Sequence, residues 1–226
     1  MLFRSVFVFT ELSSTQLALK NTVILGAATA TIGTMLALVL AYVTTRRVIR
    51  GSQLLGFLAT APVAVPGIVL GVGLFLSYTR PPFVLYGTLW ILLLAFLTIS
   101  LPSAYQQLQA AFRTIHPELE DASRILGATR LQSLWRITAP LLRTGLIATW
   151  CFIFIGVMRE LSAAIILFTS QTKVLSVLIY DLNESGDLAA ISVLGLAMLI
   201  ITFTVVLAVN RIPMFGSNFS ARLRNG

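Results

Sequence analysis

The sequence predicts an all-α protein, a polytopic helical bundle that crosses a membrane several times. Of its 226 residues, 57% are hydrophobic and 11% are charged, and the mean hydropathy is +0.92. Soluble domains carry about 25% charged residues, so this chain has less than half the usual charge. A helix needs roughly 20 mostly apolar residues to cross a bilayer. We expect one membrane domain over 1–226, with five spans at residues 22–45, 53–78, 83–105, 145–168 and 188–209.

The first expected span, 22–45, contains no charged residue and is followed at once by Arg46 and Arg47. The apolar run that precedes it is too short for a secretory signal or for a crossing. Glu11 and Lys20 also interrupt that part of the chain. The first crossing is therefore expected to begin after Lys20.

The second expected span, 53–78, is uncharged but contains Pro62, Pro66 and Gly67. Proline removes a helical hydrogen bond and clashes with the preceding turn, so we expect a kink or a locally unwound segment. Gly67 and Gly71 are four positions apart, a spacing that favours close helix packing. Packing is the simpler interpretation of this pattern, and flexing during gating is the alternative.

The third expected span, 83–105, ends at a polar edge, and the fourth, 145–168, carries Arg159 and Glu160. A charge at the membrane centre costs on the order of 3 kcal/mol or more, so such residues usually face a bundle interior or a watery cavity. Adjacent helical positions do not face each other, so the two residues need separate partners or a break in the helix. A structural role at such a break and contact with a transported molecule both stay open.

Residues 169–187 separate the fourth and fifth expected spans. The apolar run 174–180 is too short to cross, which predicts an interfacial or re-entrant helix on the outer side. The acidic turn 181–187 that follows is interpreted either as a solvated linker or as a contact for an external protein.

An island of charge interrupts the apolar sequence over residues 118–140. Pro117 followed by Glu118 and Glu120 favours a helix N-terminus at this point. Gly127 is expected to end that helix, and the apolar stripe 131–135 predicts a second short helix. The product is a bent, amphipathic helix pair that lies in water.

The distribution of basic residues predicts the orientation. If residues 116–140 lie in the cytoplasm, eleven arginines lie inside and four Lys or Arg residues lie outside, with Arg159 within a span. The opposite orientation would violate the positive-inside rule. Five spans then place the N-terminus outside and the C-terminus in the cytoplasm.

The charged island resembles the cytoplasmic signature loop of bacterial ABC importer permeases, whose usual form is Glu-Ala-Ala-x3-Gly-x9-Ile-x-Leu-Pro. Here Asp121 replaces Glu, Ser123 replaces Ala and Ala139 replaces Leu, and the first two changes keep charge or size. In that family the loop is the coupling helix that fits a groove on the ATPase subunit. The resemblance implies this role for Glu120, Asp121, Ala122, Ser123, Gly127, Ile137 and Pro140.

The resemblance implies a type I, MetI-like permease core in the bacterial inner membrane. The implied partners are ABC ATPase subunits, a second permease half, a periplasmic solute-binding protein and the lipid bilayer. The chain contains no Gly-x4-Gly-Lys-Ser/Thr phosphate loop, so we expect ATP on the partner subunit and no cofactor on this chain. Members of the family commonly have one more span before the five-span core. We therefore expect this chain to be a split-off half or a truncated copy.

The run Arg159-Glu160-Leu161-Ser162 resembles a segment of ferric-type permeases. This favours ferric iron as the cargo, with thiamine, phosphonate and polyamine as alternatives. The mechanism that the family implies is alternating access, driven by closure of the ATPase pair. Residues expected to line or gate the path are Pro62, Pro66, Gly67, Arg159, Glu160 and Ser162.

Other classes of function fit the sequence less well. The net charge of +8 and the pI near 10.6 do not indicate nucleic-acid binding, because the basic residues are spread between apolar runs. His116 is the sole histidine, so no metal site is expected. An intramembrane enzyme would need a second acid or a histidine within the spans. A secondary transporter driven by ion gradients would show inverted repeats and intramembrane acids.

Overall fold

The computed structural model describes residues 2–211, with side chains described from residue 13 onward. Over this range the chain is helical and forms no strand. Besides its α-helices it contains a 3-10 helix, Ala61–Ala64, and a π-helical turn, Leu134–Thr138. The helices are α1 Leu2–Thr45, α2 Ser52–Thr60, α3 Gly67–Tyr78, α4 Leu89–Arg113, α5 Glu118–Ile125, α6 Arg130–Ser133, α7 Ala139–Leu141, α8 Arg143–Met158, α9 Ala164–Leu167, α10 Leu175–Glu184 and α11 Leu188–Arg211.

The core forms where α1 packs against α4 and α8. Ala30, Ala37 and Ala41 are completely buried along one side of α1. Small side chains let helix backbones approach closely, which is the main source of attraction between helices in lipid. Phe96 of α4 and Phe154 of α8 fill the remaining space at this junction. These three helices therefore form the central core of the bundle, and the other segments pack around them.

The second expected span contains a break, which is the locally unwound segment that the sequence offered as the alternative to a kink. The segments Ser52–Ala64 and Gly67–Tyr78 meet at an angle of 103°. Val65 is extended, and Pro66 has ψ of 139°, so the helix cannot continue through them. Because Pro66 also lacks an N–H group, the chain turns here at little cost in hydrogen bonding.

The third expected span, 83–105, has the wrong boundaries, because the helix runs from Leu89 to Arg113. The residues before Leu89 form turns, and Gly87 has φ of 83°. The polar side chains expected to end the span are part of the helix. Gln109 donates to the Tyr105 hydroxyl at 2.7 Å and accepts from Arg113 at 3.4 Å along one face of α4, and the Tyr105 hydroxyl donates to Thr44 of α1 at 3.0 Å.

The fourth expected span, 145–168, is interrupted, and the interruption is the helix break that the sequence left open as one of two alternatives for Arg159 and Glu160. Helix α8 ends at Met158, and helical structure resumes only in the single turn of α9. Arg159 and Glu160 therefore lie in a break and not within a continuous helix. The freed backbone groups find other partners here: the Glu160 carbonyl accepts from the Ser176 hydroxyl at 2.7 Å, and the Ala163 N–H donates to the Glu160 carboxylate at 3.3 Å.

Three described helices are long and apolar enough by themselves to cross a membrane: Ser13–Thr45 within α1, α4 and α11. Two bent pairs reach that length only when each pair is counted as one span, and the second pair joins 130–141 to α8 at 78°. The short α10 packs between α1 and α11. In α11, none of the most apolar stretch is buried, so this helix lies at the edge of the bundle.

Candidate functional site

The segment 116–140 forms the expected bent pair of short helices. Helix α5 begins at Glu118 after Pro117, with three carboxylates in its first turn, as the sequence predicted. Gly127 has φ of 89°, a left-handed conformation that glycine adopts without steric cost, and it ends the helix as predicted. A capping box joins Thr129 and Gln132 at the start of α6. Helical structure continues from α6 through the π-helical turn to the end of α7 at Leu141, so the second helix covers the apolar stripe 131–135 from which it was predicted.

The outer surface of this segment is apolar although the sequence around it is charged. Ile125 is 85% exposed, Leu126 is 89% exposed and Leu131 is 64% exposed. Beside them is a groove of about 460 Å³, which we call the loop groove. It is lined by Leu119, Ala122, Ser123, Leu126, Ala128, Gln132, Arg136 and Ile137. Ala122, Ser123 and Ile137, three of the residues assigned to coupling, thus lie together on this surface.

Glu120 points the other way, into the protein, and is only 5% exposed. Its Oε1 atom accepts hydrogen bonds from Nε of Arg46 and from the Thr138 hydroxyl, each at 3.0 Å. Nη2 of Arg46 also lies 3.0 Å from Oε1, which completes an ion pair. Nη2 donates in addition to the carbonyl of Ile115 at 3.1 Å. Asp121 is exposed by contrast and pairs with Arg124 at 3.6 Å.

The break after α8 lies against the bend between α2 and α3. Glu160 accepts a very short hydrogen bond from the Ser162 hydroxyl. Gly67, the first residue of α3, is so close that a Cβ atom there would collide with the Ser162 hydroxyl oxygen. Four of the residues assigned to the path, Pro66, Gly67, Glu160 and Ser162, are therefore brought to one place by the two helix breaks. Pro62 lies one turn earlier, in the 3-10 helix.

A cavity of about 290 Å³ opens beside the break. Arg159 and Glu160 line it together with Ser100 and Ser103 of α4, and Phe96 and Phe152 form apolar parts of its wall. Among the residues that the structure describes, no carboxylate forms an ion pair with Arg159. The polar lining of the cavity thus contains the side chains of Arg159 and Glu160 and two serine residues.

The sequence did not identify the partners of Glu120. Arg46 was assigned only to the orientation signal at the end of the first span, and Thr138 was assigned no role. The two ends of the Arg46–Glu120 pair are 74 positions apart, and no local pattern connects them. Ser100 and Ser103 were missed for a different reason. Hydroxyl side chains in an apolar helix usually bond to their own backbone, so these two serines gave no sign of lining a cavity.

Comparison with known proteins gives one family over most of the chain. The model of the binding-protein-dependent transport system inner membrane component matches residues 18–213. The matched region contains the segment 116–140, both helix breaks and the cavity.

Curated relatives include permease proteins of different transport systems. The ferric transport system permease protein FbpB of Actinobacillus pleuropneumoniae is 27% identical over 190 residues, which cover 84% of this chain and 28% of FbpB. The 2-aminoethylphosphonate transport system permease protein PhnV of Salmonella paratyphi A is 25% identical, covering 67% of this chain and 57% of PhnV. An ABC transporter permease protein, ORF1 of Streptomyces antibioticus, is 32% identical over 69% of this chain and 67% of its own length. The chain therefore spans only part of each relative.

Solved structures share the fold. A chain of a bacterial alginate ABC transporter, crystallised with a periplasmic protein bound to an alginate pentasaccharide, aligns with a TM-score of 0.71 and 20% identity. The alignment covers 87% of this chain and 77% of that one. The inward-facing MetNI methionine ABC transporter aligns with a TM-score of 0.70 and 19% identity, over 89% of this chain and 93% of that chain.

Proposed function

We propose, from the premise that this chain belongs to the family of binding-protein-dependent transport system inner membrane components, that it carries ferric iron across the bacterial inner membrane with energy from a partner ATPase. Family membership makes the chain an ABC importer permease subunit of that membrane. The cargo, the individual partners and the orientation of the termini are parts of the proposal.

The observation that carries the coupling role is the exposed apolar surface of the segment 116–140. Ile125 and Leu126 are almost fully exposed at a turn flanked by charged residues. Contiguous exposed apolar side chains rimmed by polar groups mark protein interaction sites. The loop groove beside them has the size of a pocket for a side chain or a helix edge. We assign this surface to contact with the ATPase subunit.

The proposed mechanism is alternating access. ATP binding closes two partner ATPase subunits, and the movement passes through the segment 116–140 to the helices of the bundle. The two helix breaks, at Pro66 and at Arg159, then shift against each other, because broken helices absorb changes of direction more readily than continuous ones. A second permease half is required in this scheme, since one chain cannot enclose the path.

The proposed cargo is supported by the relatives and by the resemblance of the run Arg159-Glu160-Leu161-Ser162 to a segment of ferric-type permeases. FbpB is named as a permease protein of a ferric transport system and PhnV as one of a 2-aminoethylphosphonate transport system. Ferric iron is our first choice and a phosphonate our second. The orientation proposed, with the N-terminus outside and the C-terminus in the cytoplasm, is supported by the positive-inside count.

The experiment that tests the coupling role replaces Ile125 and Leu126 together by Gln. Both side chains are exposed, so the change leaves the folded bundle intact and removes only apolar surface. We expect the permease to accumulate normally and to lose copurification with its partner ATPase. The control replaces Phe83 and Val84 by Gln. These residues are also exposed, but they precede α4, whereas the segment 116–140 follows it. Copurification that survives the Ile125 and Leu126 change would contradict the proposal.

The cargo is tested separately. Membrane vesicles containing the whole transporter and its binding protein are given radiolabelled ferric iron in the presence and absence of unlabelled 2-aminoethylphosphonate. Iron uptake that requires ATP and is not reduced by the phosphonate supports the first choice. Uptake of labelled 2-aminoethylphosphonate without uptake of iron would replace it by the second.

A further inference from the structure

The carboxylate of Glu120 joins three parts of the chain at one oxygen atom. The atom belongs to the first turn of α5, and it accepts from Arg46, the residue after α1, and from Thr138 in the π-helical turn. Each of these bonds measures 3.0 Å. Both halves of the segment 116–140 and the end of the longest membrane helix therefore meet at Glu120.

The segment is connected internally as well. The hydroxyls of Ser123 and Ser133 are hydrogen-bonded at 3.1 Å, which joins α5 to α6. Arg46 also donates a hydrogen bond to the carbonyl of Ile115, the residue immediately before the segment. The segment is thus one mechanical unit, and Arg46 attaches it to α1, which packs along α4 and α8.

The attachment is on the opposite face from the proposed ATPase contact. Glu120 is buried, whereas Ile125, Leu126 and the residues of the loop groove are accessible. All the bonds to its carboxylate are made at Oε1 by groups of this chain, and the pocket of about 180 Å³ that Glu120 lines is shared with Arg46, Asp121 and Arg124, so its partners within the chain and not its burial alone assign it to positioning. The bonds to the carboxylate are charge-assisted, which makes them stronger than bonds between neutral groups, and those from Arg46 come from a rigid guanidinium group while the third comes from the Thr138 hydroxyl.

We propose that Glu120 is a positioning residue, which transmits movement of the ATPase-bound segment to α1 through Arg46 and Thr138, and that it makes no contact with the ATPase. The inference rests on the proposed function of the segment. It separates two tasks within one loop: the exposed apolar residues bind the ATPase, and the buried ion pair passes the movement on.

The test uses the whole transporter, purified with its ATPase and binding protein, and Glu120→Gln as the variant. The amide keeps the shape of the side chain and removes its charge. We expect the ATPase to copurify at wild-type yield, while cargo transported per ATP hydrolysed falls about tenfold, within the range usual for coupling between sites. The matched control is Glu118→Gln, an equal loss of charge at an exposed position of the same helix. The control should transport as the wild type does.

A second variant separates transmission from a purely structural role. Exchanging the charges, with Arg46→Glu and Glu120→Arg in one chain, restores an ion pair and should recover transport per ATP to within about threefold of the wild type. Arg46→Glu alone should be as uncoupled as Glu120→Gln. If Glu120→Gln fails to accumulate, the comparison between the exchange and Arg46→Glu decides the question.

Each result has one meaning. Loss of ATPase copurification in Glu120→Gln would overturn the inference and show that Glu120 contributes to binding. Wild-type transport per ATP in Glu120→Gln, or no recovery in the charge exchange, would overturn it too. A wild-type permease that copurifies with no ATPase would instead contradict the proposed function itself.

Discussion

At the scale of single residues, the contact between α3 and the break after α8 depends on glycine. Gly71 is buried, and a Cβ atom placed there would lie 3.3 Å from both Cα and the carbonyl oxygen of Ala163. These neighbours are backbone atoms, so they cannot rotate away. Gly73, two positions later on the same helix, has nothing within 4 Å of such an atom.

Gly71→Val should therefore destabilise the protein. Its added methyl groups would force α3 away from Ala163, and overpacking of this kind costs about 1–3 kcal/mol. Gly73→Val is the control, since it adds the same groups to open space on the same helix. Thermal unfolding in detergent, followed by tryptophan fluorescence, should show a lower Tm for Gly71→Val alone. Equal Tm values for the two variants would contradict this contact.

At the scale of secondary-structure elements, side chains of α1 form hydrogen bonds with the loop that connects α9 to α10. The side-chain amide of Asn21 donates to the carbonyls of Gln171 at 3.1 Å and Lys173 at 3.0 Å. The hydroxyl of Thr22 accepts from the N–H of Leu175 at 2.8 Å. The loop over residues 168–174 is thus ordered by two polar side chains of α1.

Asn21→Leu should release this loop. The substitution keeps the number and branching of the side-chain heavy atoms and leaves two carbonyl groups without their donor, at a cost of about 1–3 kcal/mol for each group that stays buried. Amide hydrogen exchange over residues 168–174 should become faster. Ser77→Ala serves as the control, because Ser77 bonds only to the carbonyl of Gly73 in its own helix and is exposed. Unchanged exchange in Asn21→Leu would show that the loop is held by other contacts.

At the scale of the whole molecule, much of the outer surface is apolar. Leu196, Leu199 and Phe203 of α11 are 59%, 68% and 66% exposed, and α2 and α3 also present large apolar side chains. In water such a surface would lead to aggregation, whereas in a bilayer the lipid tails cover it. The bundle therefore depends on the bilayer to cover its outer apolar side chains, in addition to the packing of its own core.

The proposed orientation can be tested on a chain that lacks its single cysteine. In a Cys151→Ala background, Ile49→Cys and Phe83→Cys place one thiol in the turn after α1 and one before α4. Both positions are at least half exposed. A membrane-impermeant maleimide added to intact spheroplasts should label Phe83→Cys and leave Ile49→Cys unlabelled, and inverted vesicles should show the reverse. Labelling of Ile49→Cys in intact spheroplasts would contradict the orientation.

Part of the candidate site could be predicted from the sequence, because its signals are local. The start of α5 at Glu118 and its end at Gly127 follow from residue types within one or two helical turns. At Arg159 and Glu160 the sequence indicated a helix break only as one of two alternatives, and it did not identify the groups that stabilise the break. Residues 145–168 are apolar enough to form one helix, and only the hydroxyl of Ser176, the side chain of Glu160 and the close approach of α3 stabilise the interrupted backbone.

The sequence by itself determined that this chain is a helical membrane protein with a charged loop between apolar segments, because hydropathy and helix-ending residues act over short stretches of chain. The tertiary structure decided which polar groups meet. Glu120 pairs with Arg46, which is 74 positions away in the sequence, and Asn21 bonds to the carbonyl of Gln171, which is 150 positions away. Such pairs depend on the packing of α1 against several helices at once, and no short window of sequence contains that information.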